Sequence, residues 1–153
     1  MFQIGEHIIY PMRGAGTIKA VEEQEAFGKI QTYYIITMAL NGAQIMIPTH
    51  QTAQSNIRRI TDIAELQNIL HIFQHGQPHT LLPWRERYKQ NTAKVKSGTL
   101  QNCAEVVRDL RHMQKEKPLN TSEKQMLAHA HTFLLNELVL IPGITENELN
   151  SFS

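Results

Sequence analysis

The segment Trp84-Arg85-Glu86-Arg87-Tyr88-Lys89-Gln90-Asn91 places the only tryptophan of the chain among three bases and a tyrosine within eight residues. On a helix, Trp84, Tyr88 and Asn91 project from one side, while Arg85, Lys89 and Lys96 line a neighbouring one. A basic stripe of this kind suits phosphates, because each neutralised phosphate releases counterions, and it confers affinity without sequence specificity. A flat aromatic beside it can insert or stack where a duplex is bent or opened. The same residues also admit a plainer reading, in which Trp84 anchors a core and the bases form a solvated face.

Charge distribution favours a nucleic-acid partner more than the total does. The formal net charge is only +1, yet from Trp84 to Lys117 nine bases stand against four acids, leaving +5 on that segment. Other chemistries find little support. His71 and His75 lie four apart and His79 follows, but no His-Glu-x-x-His pattern or acidic third ligand accompanies them, so no metal site is expected. Gly14-Ala15-Gly16 lacks the third glycine and the strand-to-helix context of a cofactor loop, and no nucleophile elbow or Walker loop is present. Glu22, Glu23 and Glu25 fall on an exposed strand and loop. No catalytic residue, cofactor or enzymatic activity is expected. The single cysteine, Cys103, sits among Val106, Val107 and Leu110 at helical spacing and reads as a small buried hydrophobe.

The elements that position these residues change character near residue 60. Strands are expected at His7–Tyr10, Gly16–Glu22, Thr32–Leu40 and Ala43–Pro48, rich in Ile, Tyr, Val and Thr. Asn41-Gly42 predicts a two-residue type I′ hairpin between the last two. Gly28 lies in the polar stretch between the second and third. Short antiparallel strands without a covering helix suggest a small SH3-like or Tudor-like barrel. Beyond Arg59 the period becomes helical. A first helix follows Thr61-Asp62 and ends at Gly76, and Gln77-Pro78-His79-Thr80 reads as a loop. A second runs from Pro83 to Ser97-Gly98, and a third from Thr99 to just before Pro118. A fourth is capped near Asn120 to Ser122 and carries apolar positions as far as Ile141, and Thr145 with Glu148 forms a capping-box pattern for a last short turn. The fold class is therefore α+β, with a β-domain over residues 1–55 and an all-α helical domain over 60–153. No bilayer-length apolar run or leader-like start is seen, so a cytoplasmic protein without membrane contact is expected.

The opening Phe2-Gln-Ile-Gly5-Glu-His-Ile-Ile-Tyr10-Pro11-Met-Arg-Gly14-Ala-Gly16 resembles the start of the CarD/CdnL family of bacterial RNA polymerase-binding transcription regulators. Two further stretches are similar to it: Trp84-x-x-Arg87-Tyr88-x-x-Asn91 followed by Ser97-Gly98, and Ala104 to Leu110 followed by Ser122-Glu123-Lys124-x-Met126-Leu127. The resemblance covers nearly the whole chain in order, more weakly from about 60 to 82. It implies that the β-domain docks on a lobe of the RNA polymerase β subunit by offering an edge strand, with Gln24, Gln44, Met46 and Ile47 at the contact. The chain departs from members that carry arginines at the positions of Gln24 and Met46, which favours apolar and main-chain contacts over charge. It implies equally that Trp84 wedges into the minor groove at the upstream edge of the promoter bubble, with Arg85, Lys89 and Arg87 on phosphates, stabilising the open complex, while Tyr88 packs internally. Glu86 occupies a position that is basic in some members. A monomer bound to polymerase and to promoter DNA, largely without sequence preference, is the expected state. The alternative is a protein-only interaction module, with Trp84 in an interface and the bases as solubilising charge.

Overall fold

The computed structural model describes residues 1–77 and 82–152. The expected loop at Pro78-His79-Thr80, and with it His79, lies outside them. The chain divides into two compact units, Met1–Ile60 and Thr61–Ser153.

The first unit is a five-stranded antiparallel sheet: β1 (His7–Tyr10), β2 (Gly14–Ala26), β3 (Lys29–Met38), β4 (Gln44–Pro48) and β5 (Arg58–Arg59), in the order β4-β3-β2-β1-β5. Period-two alternation makes one face apolar. Ile8, Ile18, Tyr34, Ile36, Met38, Ile47 and Ile57 form its core, with Phe2 set edge-to-face on Tyr34 at 5.7 Å. Gly16 is required by packing, because a Cβ there would stand 2.8 Å from Cγ2 of Ile36.

The expected barrel is corrected, since the sheet is open. β4 pairs only with β3, and β5 contributes two residues paired only with β1, too short a ladder to close a ring. The expected hairpin turn is corrected too. The strands flanking Asn41-Gly42 close at Met38 and Ala43, where the Met38 N–H donates to the Ala43 carbonyl at 2.8 Å. Residues 39–42 form the loop, and Gly42 alone among them has a positive φ, +69°. The two-residue turn lies instead between β2 and β3, whose register runs out to Ala26 opposite Lys29. Phe27 and Gly28 both take left-handed φ, 54° and 75°, as a type I′ turn requires. Both strands are accordingly longer than the alternation predicts.

The second unit is helical: α1 (Ile63–His75), α2 (Trp84–Ser97), α3 (Leu100–Glu116), α4 (Thr121–Leu138) and α5 (Glu146–Ser151). Side chains at Asp62, Thr99, Asn120 and Thr145 each accept from the backbone N–H three residues on, which sets four of the helix starts. The Thr145–Glu148 capping box is complete. Gly98 ends α2 in the left-handed conformation. α4 stops at Leu138, so Ile141 reaches the core from the following turn rather than from the helix. The strongly amphipathic α3 supplies the central ridge, burying Leu100, Cys103, Ala104, Val106, Val107, Leu110 and Met113. α1, α2 and α4 pack around it. Phe152 closes the core, fully buried, 4.9 Å from the ring of Phe73.

Candidate functional site

α2 differs from its neighbours in both composition and ending. Pro83 precedes it without a side-chain cap, and its buried positions are Arg87, Asn91 and Val95, spaced by four. That stripe turns the other residues outward. Trp84, the first helical residue, is 46% exposed, and its ring meets Tyr88 edge-on with centroids 6.2 Å apart. Tyr88 is half-buried and packs against the helical core. Arg85, Lys89 and Lys96 are exposed, and among the described residues no ion pair engages them. Lys94 is bound to Glu105 at 3.4 Å, and Glu86 is exposed beside Arg85. The site is thus an exposed indole at a helix start, backed by a half-buried tyrosine and flanked by exposed cations. Chemically it offers stacking and phosphate neutralisation.

Arg87 does not join that surface. Its guanidinium lies beneath α2, donating from Nε and Nη2 to the Glu123 carboxylate. The family resemblance grouped it with Arg85 and Lys89, although the basic stripe read from helical spacing held Arg85, Lys89 and Lys96 without it. Its four-residue spacing from Asn91 and Val95 was the available signal of burial, and Glu123, at the third position of α4 behind the Asn120 cap, is the partner that reasoning missed.

On the sheet, Gln24 lies opposite Gln31, Met46 opposite Ile35 and Gln44 opposite Thr37. Gln31, Ile35 and Thr37 share one parity on β3, so Gln24, Gln44 and Met46 occupy one face, opposite the core. Tyr33 stands between them and donates through its hydroxyl to Oε1 of Gln31 at 3.1 Å. Ile47 has the other parity. It is 7% exposed and belongs to the core, and its backbone groups face Tyr34 on β3, in step with the Met38–Ala43 bond, so the outer edge of β4 is offered by Gln44 and Met46 instead. The acidic side chains Glu22, Glu23 and Glu25 are exposed along the same hairpin.

Among the described residues no group of three or more His, Cys, Asp or Glu side chains is placed to hold a metal ion. The His71 and His75 rings lie 4.7 Å apart on α1. No described helix is long and apolar enough to cross a membrane.

Comparison with known proteins gives these surfaces a context. Residues 2–61 match the CarD-like/TRCF RID domain, and residues 68–152 match the CarD C-terminal domain. The "Putative transcription factor YdeB" of Bacillus subtilis (strain 168) is 55% identical over 152 residues, covering 99% of this chain and 99% of that protein. The solution structure of the 72-residue N-terminal domain of Myxococcus xanthus CarD is similar at 22% identity with a TM-score of 0.34, covering 39% of this chain and 79% of that one. Matched from end to end by both domain profiles in order, and at high identity by a full-length relative, the chain belongs to the CarD-like family of transcription factors.

Proposed function

We propose that this protein bridges RNA polymerase and promoter DNA and so stabilises the open promoter complex. In this reading residues 1–55 form the polymerase-docking part, which seats the β subunit against the face carrying Gln24, Gln44 and Met46 and against the outer edge of β4. Residues 60–153 form the DNA-contacting part. Trp84 wedges into the minor groove at the upstream edge of the bubble, with Arg85 and Lys89 on the adjoining phosphates. The protein acts as a cytoplasmic monomer on polymerase and uses no cofactor.

The observation that carries the reading is the exposure of Trp84 at the first position of α2, next to exposed Arg85 and Lys89. Inserting a ring between stacked bases costs a few kcal/mol per step. At the edge of a bubble that cost is already met by strand opening, so the wedge fits the open complex better than the closed one and shifts the equilibrium by that difference in affinity. The phosphate contacts add affinity without sequence choice. Arg87 is left out of the contact set because its guanidinium is engaged by Glu123.

A protein-only module is the competing reading, favoured by the same Trp84, Tyr88 and Arg85 grouping, which also suits a protein interface. Open-complex lifetime, measured with purified polymerase and a promoter fragment, separates the two. Wild type is expected to prolong it, Trp84→Ala to lose that effect while still binding polymerase, and Met46→Glu to lose binding itself. A Trp84→Ala variant that behaves as wild type would sink the wedge.

A further inference from the structure

Arg87 is one helical turn from Trp84, yet every contact it makes is internal. Nε donates to Oε2 of Glu123 at 2.9 Å and Nη2 to Oε1 at 3.0 Å, a two-pronged pairing. Nη1 donates to the carbonyl of Leu82 at 3.1 Å. The two side chains are 10% and 2% exposed. Glu123 is itself held, since its backbone N–H donates to Oδ1 of Asn120 at 2.9 Å and Nδ2 of Asn120 donates to Oε1 at 3.3 Å.

These bonds converge on the start of α2. That helix has no side-chain cap of its own, so beyond the bond from the Arg87 N–H to the Pro83 carbonyl its first turn lacks the fixation a capping side chain gives. Arg87 supplies the missing fixation twice over. It ties down the carbonyl two residues before Trp84, and it locks the turn bearing Trp84 to the capped first turn of α4. A buried ion pair contributes little net stability compared with well-packed apolar residues, but breaking one partner strands a charge, so such a pair specifies one arrangement. We propose that Arg87 and Glu123 are a positioning pair that sets the direction in which Trp84 projects. The proposal rests on the reading of Trp84 as the promoter wedge. A wedge loses effect steeply with misplacement, because ordering it must otherwise be done at the moment of binding.

The rival role for Arg87 is a phosphate contact held in reserve, and the two roles predict opposite signs. Releasing Arg87 from Glu123 would strengthen DNA binding if it were a latent phosphate contact, and would weaken the wedge if it positions Trp84. The test uses the full chain as wild type, Glu123→Gln, Arg87→Lys and Arg85→Ala. It reads open-complex lifetime, the slope of log affinity for promoter DNA against log salt, and the fluorescence anisotropy decay of Trp84, which reports this site alone because the chain has no other tryptophan.

Glu123→Gln and Arg87→Lys are expected to enlarge the fast local motion of Trp84 and to shorten the lifetime by about tenfold, the lower part of the range for lost preorganisation. Neither should change the salt slope, whereas Arg85→Ala should lower it by about one. Arg87→Lys keeps the charge and loses the fork, so it would rescue a phosphate contact but not a positioning one. A longer lifetime or steeper slope in Glu123→Gln, or wild-type anisotropy in both variants, overturns the proposal. If Glu123→Gln does not fold by far-ultraviolet circular dichroism, Arg87→Lys decides by the same readouts. If Trp84→Ala leaves the lifetime unchanged, the wedge reading fails on its own, and the anisotropy still decides whether this pair fixes Trp84.

Discussion

Gln24 and Met46 stand on the same face of the sheet although they belong to strands that never touch. β3 lies between β2 and β4, and its Gln31 and Ile35 pair with them on one parity. Strand spacings put the two positions on the order of 16 Å apart. The separation suits one protein patch rather than a point contact. Met46 is 47% exposed, so Met46→Glu should leave stability within about 0.5 kcal/mol of wild type. It should weaken binding to the polymerase β subunit by about tenfold or more, as expected when a charge is placed in an apolar contact. Titration against the isolated β lobe, with a urea midpoint for each protein, checks both halves.

Local signals were legible where they had no competitor. Asp62, Thr99, Asn120 and Thr145 start helices because their side chains satisfy N–H groups that nothing else could reach. Asn41-Gly42 is the opposite case. Turning tightly there would shift the β3–β4 register by two residues and exchange the observed pairs Tyr34–Ile47 and Ile36–Ile45 for Ile36–Ile47 and Met38–Ile45. Such a shift keeps every side chain on its own face, so the choice rests on which cross-strand neighbours meet, and those lie outside the dipeptide. The pairing of Arg87 with Glu123 was illegible for a related reason, because the two are 36 residues apart and no local pattern joins them. The open sheet was likewise illegible, since composition counts strands but does not say which edges meet.

Phe27 is a bulky residue in a left-handed conformation, and it is fully exposed, so it gains no packing in return. Asparagine tolerates that conformation far better. Phe27→Asn should therefore stabilise the β-hairpin, by about 1 kcal/mol at the lower end of the cost of such strain. A rise in the urea midpoint at unchanged m-value is the expected result. A fall would mean that the ring is supported by contacts in the folded protein.

His131 is held below the ordinary imidazole value, first by burial and second by the nearby positive charge of Arg111. Its Nε2 is buried without a hydrogen-bond partner among the described residues. The unfolded chain takes up a proton near 6.5, and the folded protein does so only at lower pH. Between those points the unfolded state binds more protons, so this group's stabilisation is complete above about 6.5 and declines as pH falls through the folded value. His131→Gln should show a shallower loss of stability than wild type between about pH 7.5 and 5.5, the window set by the imidazole titration. Parallel slopes would show that the ring titrates normally.

Phe152 ties the end of the described chain to the helical core. Its ring is fully buried against Phe73, and its carbonyl accepts from Nη1 of Arg111 at 3.1 Å. Phe152→Ala should cost about 3–5 kcal/mol, the range for removing a buried aromatic ring and leaving a cavity. Arg111→Ala should cost less, about 1–3 kcal/mol, since it leaves one carbonyl unsatisfied. Urea unfolding of the two variants gives the order, and a milder Phe152→Ala would mean that the core collapses to fill the space.

Arg85 and Lys89 point into solvent from the same turns of α2 as Trp84 and Tyr88, but the two kinds of residue should fail differently. A cation acts on DNA by releasing condensed counterions, which is an entropic and salt-dependent gain. Arg85→Ala and Lys89→Ala should each lower the slope of log affinity against log salt by about one, and their deficit should shrink as salt rises. An inserted indole releases no counterion, so Trp84→Ala should leave the slope unchanged and reduce affinity by a constant factor at every salt concentration. For a single stacking contact that factor corresponds to about 1–3 kcal/mol. The effect should be confined to DNA with an open or mismatched junction, because intact duplex offers the ring no gap. Promoter fragments carrying a preformed bubble, compared with their fully paired counterparts across a salt series, provide the measurement. Equal losses on both DNAs would place Trp84 on the backbone with the bases instead of between base pairs.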